Sequence, residues 1–237
     1  MKYLKSLIKE AVYSLVPPPS RSGMISYSQA GEDLIMNFLF MDKNIDRIEY
    51  LDIGTNLPDI CNNTFMFYVK GNHGVCVEAN PELIEDIKSK RVRDKVINAG
   101  VSVKSDYVGE LYIFDSNQIS TFNKNEADKR INSGKYKIID TVKVPMVSIN
   151  RLIKENFKPF PHLLSLDIEG LDFEVIKTLD FDLYPIPVIC METCAYSENH
   201  IRTKDNSILD FMESKDYEVY ADTYINTIFV NRTWFYS

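Results

Sequence analysis

The stretch Ile48-Glu49-Tyr50-Leu51-Asp52-Ile53-Gly54-Thr55-Asn56 constrains the fold of this chain more than any other. Its apolar run, with two polar interruptions, predicts a buried strand. The strand ends in an acid, a glycine and a small polar pair. The next strand candidate, Gly74-Val75-Cys76-Val77-Glu78, also ends in an acid. Two neighbouring parallel strands with carboxylates at their C-terminal ends point to a ligand with hydroxyls or a positive charge, held outside the sheet.

The rest of the chain continues the alternation. Strands are expected near 48–53, 74–78, 95–101, 163–168, 187–192, 217–221 and 226–231, and helices near 61–70, 81–91, 148–156, 172–179 and 204–215. Apolar strands alternating with amphipathic helices predict an α/β sheet with helices on both faces. The last two strands are only a few residues apart and are expected to close the sheet as an antiparallel hairpin. Before the first strand, Ser28 reads as the N-cap of a helix over 34–41, with Glu32 and Asp33 in a first turn that favours acids. That explanation does not ask for Gln29 or Gly31. A glutamine beside a small residue is also a fair ligand grip. Residues 102–147 form an insertion with one alternating strand, Gly109 to Phe114, and a polar stretch from Ser116 to Lys137. Its length marks it as a candidate lid or substrate-recognition segment.

The 237 residues, 45% of them hydrophobic, suffice for one large domain with a proper core. We expect that domain over 26–237, preceded by a helix and connector over 1–25. Leu4, Leu7, Ile8, Ala11, Val12 and Leu15 share one helical face, and Pro17-Pro18-Pro19 ends that helix. This helix is expected to pack on the body or on a second copy in a homo-oligomer, or to touch an acidic membrane surface weakly. A net charge of −7 without a basic block argues against nucleic acid. The densest basic stretch is Lys88 to Lys95. Four cysteines in so long a chain make no disulfide framework, and Cys76 and Cys190 fall inside strands as small apolar fillers. No apolar run reaches about 18 residues, so no membrane span is expected. The N-terminal segment lacks the cleavage site of a signal peptide, and the expected location is cytoplasmic. Asn62-Asn63-Thr64 and Asn231-Arg232-Thr233 match the glycosylation sequon, which a cytoplasmic chain would not use.

A dinucleotide fingerprint needs three glycines, and here Gly54 is followed by Thr55, Asn56, Leu57 and Pro58. A P-loop also fails, because no Gly-Lys-Ser or Gly-Lys-Thr follows a strand. What remains is a one-glycine turn suited to a smaller, partly cationic ligand. Glu78 can accept hydrogen bonds from both hydroxyls of a ribose. Alternatively, Asp52 and Glu78 are acids satisfied by loop N–H groups. Their position on adjacent strand ends favours the ligand.

Four motifs stand in order: Ser28-Gln29-x-Gly31-Glu32-Asp33, Asp52-Ile53-Gly54-x-Asn56-x-Pro58, Glu78-Ala79-x-Pro81 and Asp167-Ile168-Glu169-Gly170. Over roughly residues 26–195 this set resembles the FkbM family of S-adenosylmethionine-dependent methyltransferases. The resemblance implies the Rossmann-like seven-stranded methyltransferase sheet, its last strand antiparallel, and O-methylation of a hydroxyl on a sugar, nucleotide sugar or glycan precursor. It implies that Asp52 and the loop Gly54 to Asn56 hold the methionine end of S-adenosylmethionine. Glu78 with Ala79 would hold the ribose, Ala99 to Ser102 would border the adenine, and Gln29, with Asp33, would close the pocket.

An alcohol is a weak nucleophile until it loses its proton, so positioning and a base or metal must supply the rate. Asp167 ends the fourth strand beside the expected methyl position, and Glu169 and His200 are further candidate bases. In a second arrangement, Asp167 and Glu192 would carry a divalent ion such as magnesium; the metal-free arrangement is preferred. Glu169 can also be read as a helix cap. His73 and His162 precede strands and are expected to be structural. Tyr196 and Trp234 are candidate sugar-facing aromatics, although packing is the commoner fate of both. Two other readings use the same sheet: a binding protein without catalysis, and a nucleotide-dependent oxidoreductase, against which the missing glycines count.

Overall fold

The computed structural model describes residues 24–104, 106–115, 120–168, 170–195, 203–204 and 206–237. The expected N-terminal helix over 1–16, the stretch 116–119, Glu169, Tyr196 and His200 lie outside the described residues. In chain order the elements are α1 (Glu32–Asp42), β1 (Glu49–Ile53), α2 (Phe65–Val69), β2 (His73–Glu78), a 3-10 turn (Pro81–Leu83) running into α3 (Ile84–Lys90), β3 (Lys95–Asn98) and β4 (Gly100–Val101). There follow β5 (Tyr107–Phe114), α4 (Lys124–Asn132), β6 (Ile138–Val147), α5 (Ile149–Asn156), β7 (Leu163–Leu166) and α6 (Asp172–Ile176). The chain ends with β8 (Val188–Glu192), β9 (Cys194–Ala195), β10 (Thr203–Lys204), α7 (Asn206–Ser214), β11 (Tyr217–Asp222), β12 (Asn226–Asn231) and α8 (Arg232–Phe235).

Seven strands form the main sheet in the order β11-β12-β8-β7-β1-β2-β3. From β8 to β3 every neighbour is parallel, while β12 runs antiparallel to both β8 and β11. The hairpin is therefore as the spacing predicts, with one refinement. β11 runs with the parallel strands, and only β12, slotted between β8 and β11, runs against them. Chain order reverses beside β1, whose neighbours are β2 on one side and β7 on the other. Such a switch point leaves a crevice where the connections leave the sheet in opposite directions.

The central strands are buried on both faces, which explains their near-continuous apolar sequences. Alternation sends Leu51, Ile53, Leu164, Leu166, Ile189 and Met191 to one face, against Ile149, Leu152 and Ile153 of α5 and Met212 of α7. Tyr50, Leu163, Val188, Cys190 and Ile228 go to the other, against Met36, Leu39 and Phe40 of α1 and Phe67 of α2. Asp52 shares the second face with Tyr50 through the same period of two. His162 sits at the N-terminal end of the sheet, its Nδ1 accepting the Glu49 N–H at 3.1 Å, a structural position. Trp234 is half-buried and packs on Phe40, ring centroids 6.0 Å apart, at the edge of the core on this side of the sheet.

Two expectations need correction. The helix after Gln29 starts at Glu32, two residues before the predicted 34, and its N-cap is Gly31 at φ 94°, a left-handed conformation that a Cβ disfavours. Ser28 still serves this end, because its Oγ accepts the N–H groups of Gly31 (3.1 Å) and Asp33 (3.3 Å). The insertion is also more ordered than a loop with one strand. The candidate strand 95–101 breaks at Ala99, and its second half, β4, leaves the main sheet to pair with β6. Together with β5 these make a separate three-stranded sheet.

Gly74 tests how tightly β2 is seated. A Cβ there would lie 2.2 Å from the Tyr50 backbone oxygen, which cannot rotate away. Gly74→Ala is expected to destabilise the protein by about 1–3 kcal/mol, read as a lower urea midpoint with an unchanged slope.

Candidate active site

A cavity of about 260 Å³ opens at the C-terminal ends of β1, β2 and β7, at the switch point of the sheet. Gly54 shapes its floor. A Cβ on this residue would sit 1.8 Å from the Asp167 carbonyl oxygen, and φ is 83°, so only glycine fits. The Gly54 and Thr55 N–H groups donate to the Val77 carbonyl at 2.9 and 3.3 Å, carrying the turn across the end of β2. Asn56 also has a positive φ, 50°, and its N–H donates to Glu78 Oε2 at 2.9 Å. The second Glu78 oxygen accepts the Asn80 N–H at 2.7 Å. Burial pushes the Glu78 carboxyl up, opposed by these N–H donors. Each oxygen has accepted one bond and retains a second lone pair for a ligand hydroxyl.

Asp52 is placed differently. Its Oδ2 accepts hydrogen bonds from Asn62 Nδ2 (3.0 Å) and Thr64 Oγ1 (2.8 Å) and lies 3.6 Å from the Arg91 guanidinium. Burial raises this carboxyl and Arg91 opposes the rise. The Asn62-Asn63-Thr64 sequon is therefore a buried hydrogen-bonding corner. Asn63 and Cys61 line the cavity from the same loop.

Asp167 faces the cavity from the end of β7, its backbone N–H donating to Ile53. Among the described residues, no donor reaches its carboxylate. Burial raises its pKa to about 6, and the charges of Asp52 and Glu32 add to the effect. Asp172, one turn further on, is raised to about 7 by burial and then by Asp167, against the N–H groups of Ile168 and Gly170 that its oxygens accept. Glu192 stands at the end of β8 beside Asp167 in the strand register but is not on the cavity wall. Among the described residues, no three His, Cys, Asp or Glu side chains gather as a metal-holding group.

Gln29 reaches the cavity from the N-terminal loop. That loop is held by its own acids. Asp33 accepts bonds from Ser26 Oγ, the Tyr27 N–H and Ser28 Oγ, so its carboxylate shapes the loop. Glu32 accepts from Thr223 Oγ1 and Asn226 Nδ2, tying the loop to the β11–β12 hairpin. Ala79 and the segment Ala99 to Val101 form part of the wall. Ser102 does not. Its hydroxyl donates to the Lys104 carbonyl (2.7 Å) and accepts from Tyr107 (3.1 Å) at the neck of the insertion.

The sequence reading missed the contribution of the second sheet. Leu111 of β5, with Ser120, Thr121 and Phe122, lines the cavity opposite the main-sheet residues. Among the described residues, the buried Ser120 hydroxyl has no hydrogen-bond partner, and neither has Asn56 Oδ1. The alternation of Val142, Val144 and Met146 was the available signal for β6. That alternation lies just beyond the polar stretch Ser116 to Lys137, in the part of the insertion for which no strand is expected from the sequence.

The raised Asp167 pKa carries a linkage prediction. An acid raised above its unfolded value contributes stability that is full below about pH 4 and is lost as pH rises through about 6. Asp167→Asn removes that loss. Because water reaches the cavity, its gain over wild type at pH 7 is expected to be only about 1–2 kcal/mol, vanishing near pH 4, in urea titrations at both pH values.

Residues 52–219 match the Methyltransferase FkbM domain. No curated protein matches the sequence significantly. Among solved structures, that of a "putative RNA methyltransferase" from Pyrococcus horikoshii aligns with 11% identity and a TM-score of 0.41, covering 98% of this chain and 99% of that one. The family match begins at Asp52, the first acid of the cavity wall, runs through Gly54, Glu78 and Asp167, and takes in more than half the chain; this protein belongs to the FkbM methyltransferase family.

Proposed function

We propose that this methyltransferase uses S-adenosylmethionine to methylate a hydroxyl of a sugar, nucleotide sugar or glycan precursor. One observation carries the reading. Glu78, with a lone pair left on each oxygen, and Asp167, with a raised pKa and no donor among the described residues, flank Gly54 in one cavity.

The residues fit the cofactor at several points. Glu78 accepts the two ribose hydroxyls. The Asp52 oxygen left over by Asn62 and Thr64, with the buried Asn56 Oδ1, offers acceptors to the methionine ammonium. Val101, Leu111 and Phe122 provide apolar surface for the purine, and the Ser120 hydroxyl provides a polar group at its edge. Bound there, S-adenosylmethionine supplies a sulfonium methyl whose leaving sulfur is neutral and needs no acid.

The acceptor hydroxyl does need a base. Asp167 is ionised above about pH 6 and takes the proton on its carboxylate, with a pKa close enough to neutrality for useful proton transfer. Gln29 and, from the insertion, Leu111 and Phe122 line the cavity and narrow the space left for water around the acceptor. The sugar class of the acceptor follows the family resemblance of the motifs. The metal-free form is preferred because Glu192 is off the cavity wall, which leaves Asp167 without its proposed partner ligand.

Calorimetry with S-adenosylmethionine tests the cofactor. Binding of a nicotinamide dinucleotide in its place would sink the reading. With nucleotide sugars and free glycans as acceptors, Asp167→Asn should lower turnover by about 10²–10⁴-fold while changing cofactor affinity far less. Turnover should rise with pH through about 6 in the wild type. Full activity in Asp167→Asn would remove this residue from the chemistry, and loss of turnover with chelator would restore the metal.

A further inference from the structure

Arg91 lies in the basic stretch Lys88 to Lys95, yet its side chain is 0% exposed, and it is the largest fully buried residue among those described. Its guanidinium makes contacts on all sides. Nε donates to Asp94 Oδ2 at 2.7 Å. One terminal nitrogen donates to Asn62 Oδ1 at 3.0 Å and to the Pro58 carbonyl at 3.5 Å, and the other donates to Thr64 Oγ1 at 2.8 Å. The rings of Tyr50, Phe65 and Tyr68 surround the ion within 5.3–5.8 Å of their centroids.

The partners of Arg91 fall into two groups. Asp94 belongs to the sheet side: its carboxylate also accepts from Tyr50 Oη and the Gly74 N–H, at the far end of β1 and β2. Pro58, Asn62 and Thr64 belong to the loop that follows Gly54. Asn62 and Thr64 pass the restraint on to Asp52, and Asn62 Nδ2 also donates to the Thr55 carbonyl at 3.2 Å. The loop between, with Asn56, Cys61 and Asn63, lines the cavity. We propose that Arg91 is a positioning residue: buried between the sheet and the loop 54–64, it sets the shape of the cavity wall that receives the methionine end of the cofactor.

The chemistry explains why an arginine stands here. A buried cation must be paired and hydrogen-bonded, and Asp94 and Asp52 supply the charges. Only a planar fork with five N–H groups can serve Asp94, Asn62, Thr64 and Pro58 at once. A lysine has one nitrogen and would have to abandon some of them. The cofactor half of the inference rests on the S-adenosylmethionine reading above; the loop half does not.

The test compares Arg91→Lys with Ile153→Ala in the full-length protein. Ile153 is buried on α5, off the cavity wall, and serves as a destabilised control. In Arg91→Lys, amide hydrogen exchange over 54–64 should accelerate by at least about tenfold relative to wild type. Its dissociation constant for S-adenosylmethionine should rise by at least about tenfold. Ile153→Ala should leave both within about twofold despite a lowered melting temperature. Unchanged exchange over 54–64 in Arg91→Lys, or equal acceleration in both variants, overturns the positioning role. If wild type binds no S-adenosylmethionine while Arg91→Lys still loosens the loop, the cofactor reading falls and the positioning role stands. Should Arg91→Lys not fold, Thr64→Val decides on the same readouts. It deletes the hydroxyl joining Arg91 to Asp52 and should accelerate exchange by about threefold or more, and no acceleration overturns the proposal.

Discussion

The close approach of two backbones at Gly54 is the constraint on which the site depends. At the end of β1 the chain passes so near the Asp167 carbonyl that no side chain can stand between them. The turn then crosses to β2, where Val77 accepts two successive N–H groups. Because β1 lies between β2 and β7, this single tight turn brings the ends of three parallel strands around one cavity. Any residue larger than glycine would separate the acid of β2 from the acid of β7.

The acids on the cavity wall, and Glu32 on the loop beside it, are stabilised in different ways. Asp52 faces a buried guanidinium and two side-chain donors. Glu78 leans on backbone N–H groups. Burial alone would raise Glu32, but donors from Thr223, Asn226 and its own loop bring it below the ordinary carboxylate range. Among the described residues none of these reaches the Asp167 carboxylate, and its pKa rises towards neutrality. A buried carboxylate that lacks donors is costly to the fold, and a pKa near neutrality is what the proposed role as a base requires.

Much of this architecture was legible in the chain. Each of the seven main-sheet strands falls within a few residues of its expected position, and β1, β7 and β8 show why: parallel strands buried on both faces must be nearly all apolar. The distribution of Arg91, Asn62 and Thr64 was not legible. A basic run and a glycosylation sequon look like surface features, and burial becomes visible only when an aromatic cage and two carboxylates are seen around the guanidinium. The second sheet was half legible: β5 alternates clearly, whereas β6 alternates only in its second half, Val142, Val144 and Met146 against Lys143 and Pro145, after three consecutive exposed residues, Ile139 to Thr141.

The amino-acid sequence by itself determined the α/β alternation, the one-glycine turn that excludes a dinucleotide loop, and the acids at the strand ends. These are local properties, set by side-chain period, by φ and by the chemistry of a few residues. Tertiary structure decided which acids remain available. Asp52 and Glu78 look alike in sequence, each an acid near the end of a strand. Packing gives Asp52 an arginine and two side-chain donors, gives Glu78 two N–H groups and a free lone pair on each oxygen, and leaves Asp167 facing the cavity. Desolvation and hydrogen bonding depend on neighbours distant in the chain, so only the folded molecule could assign them.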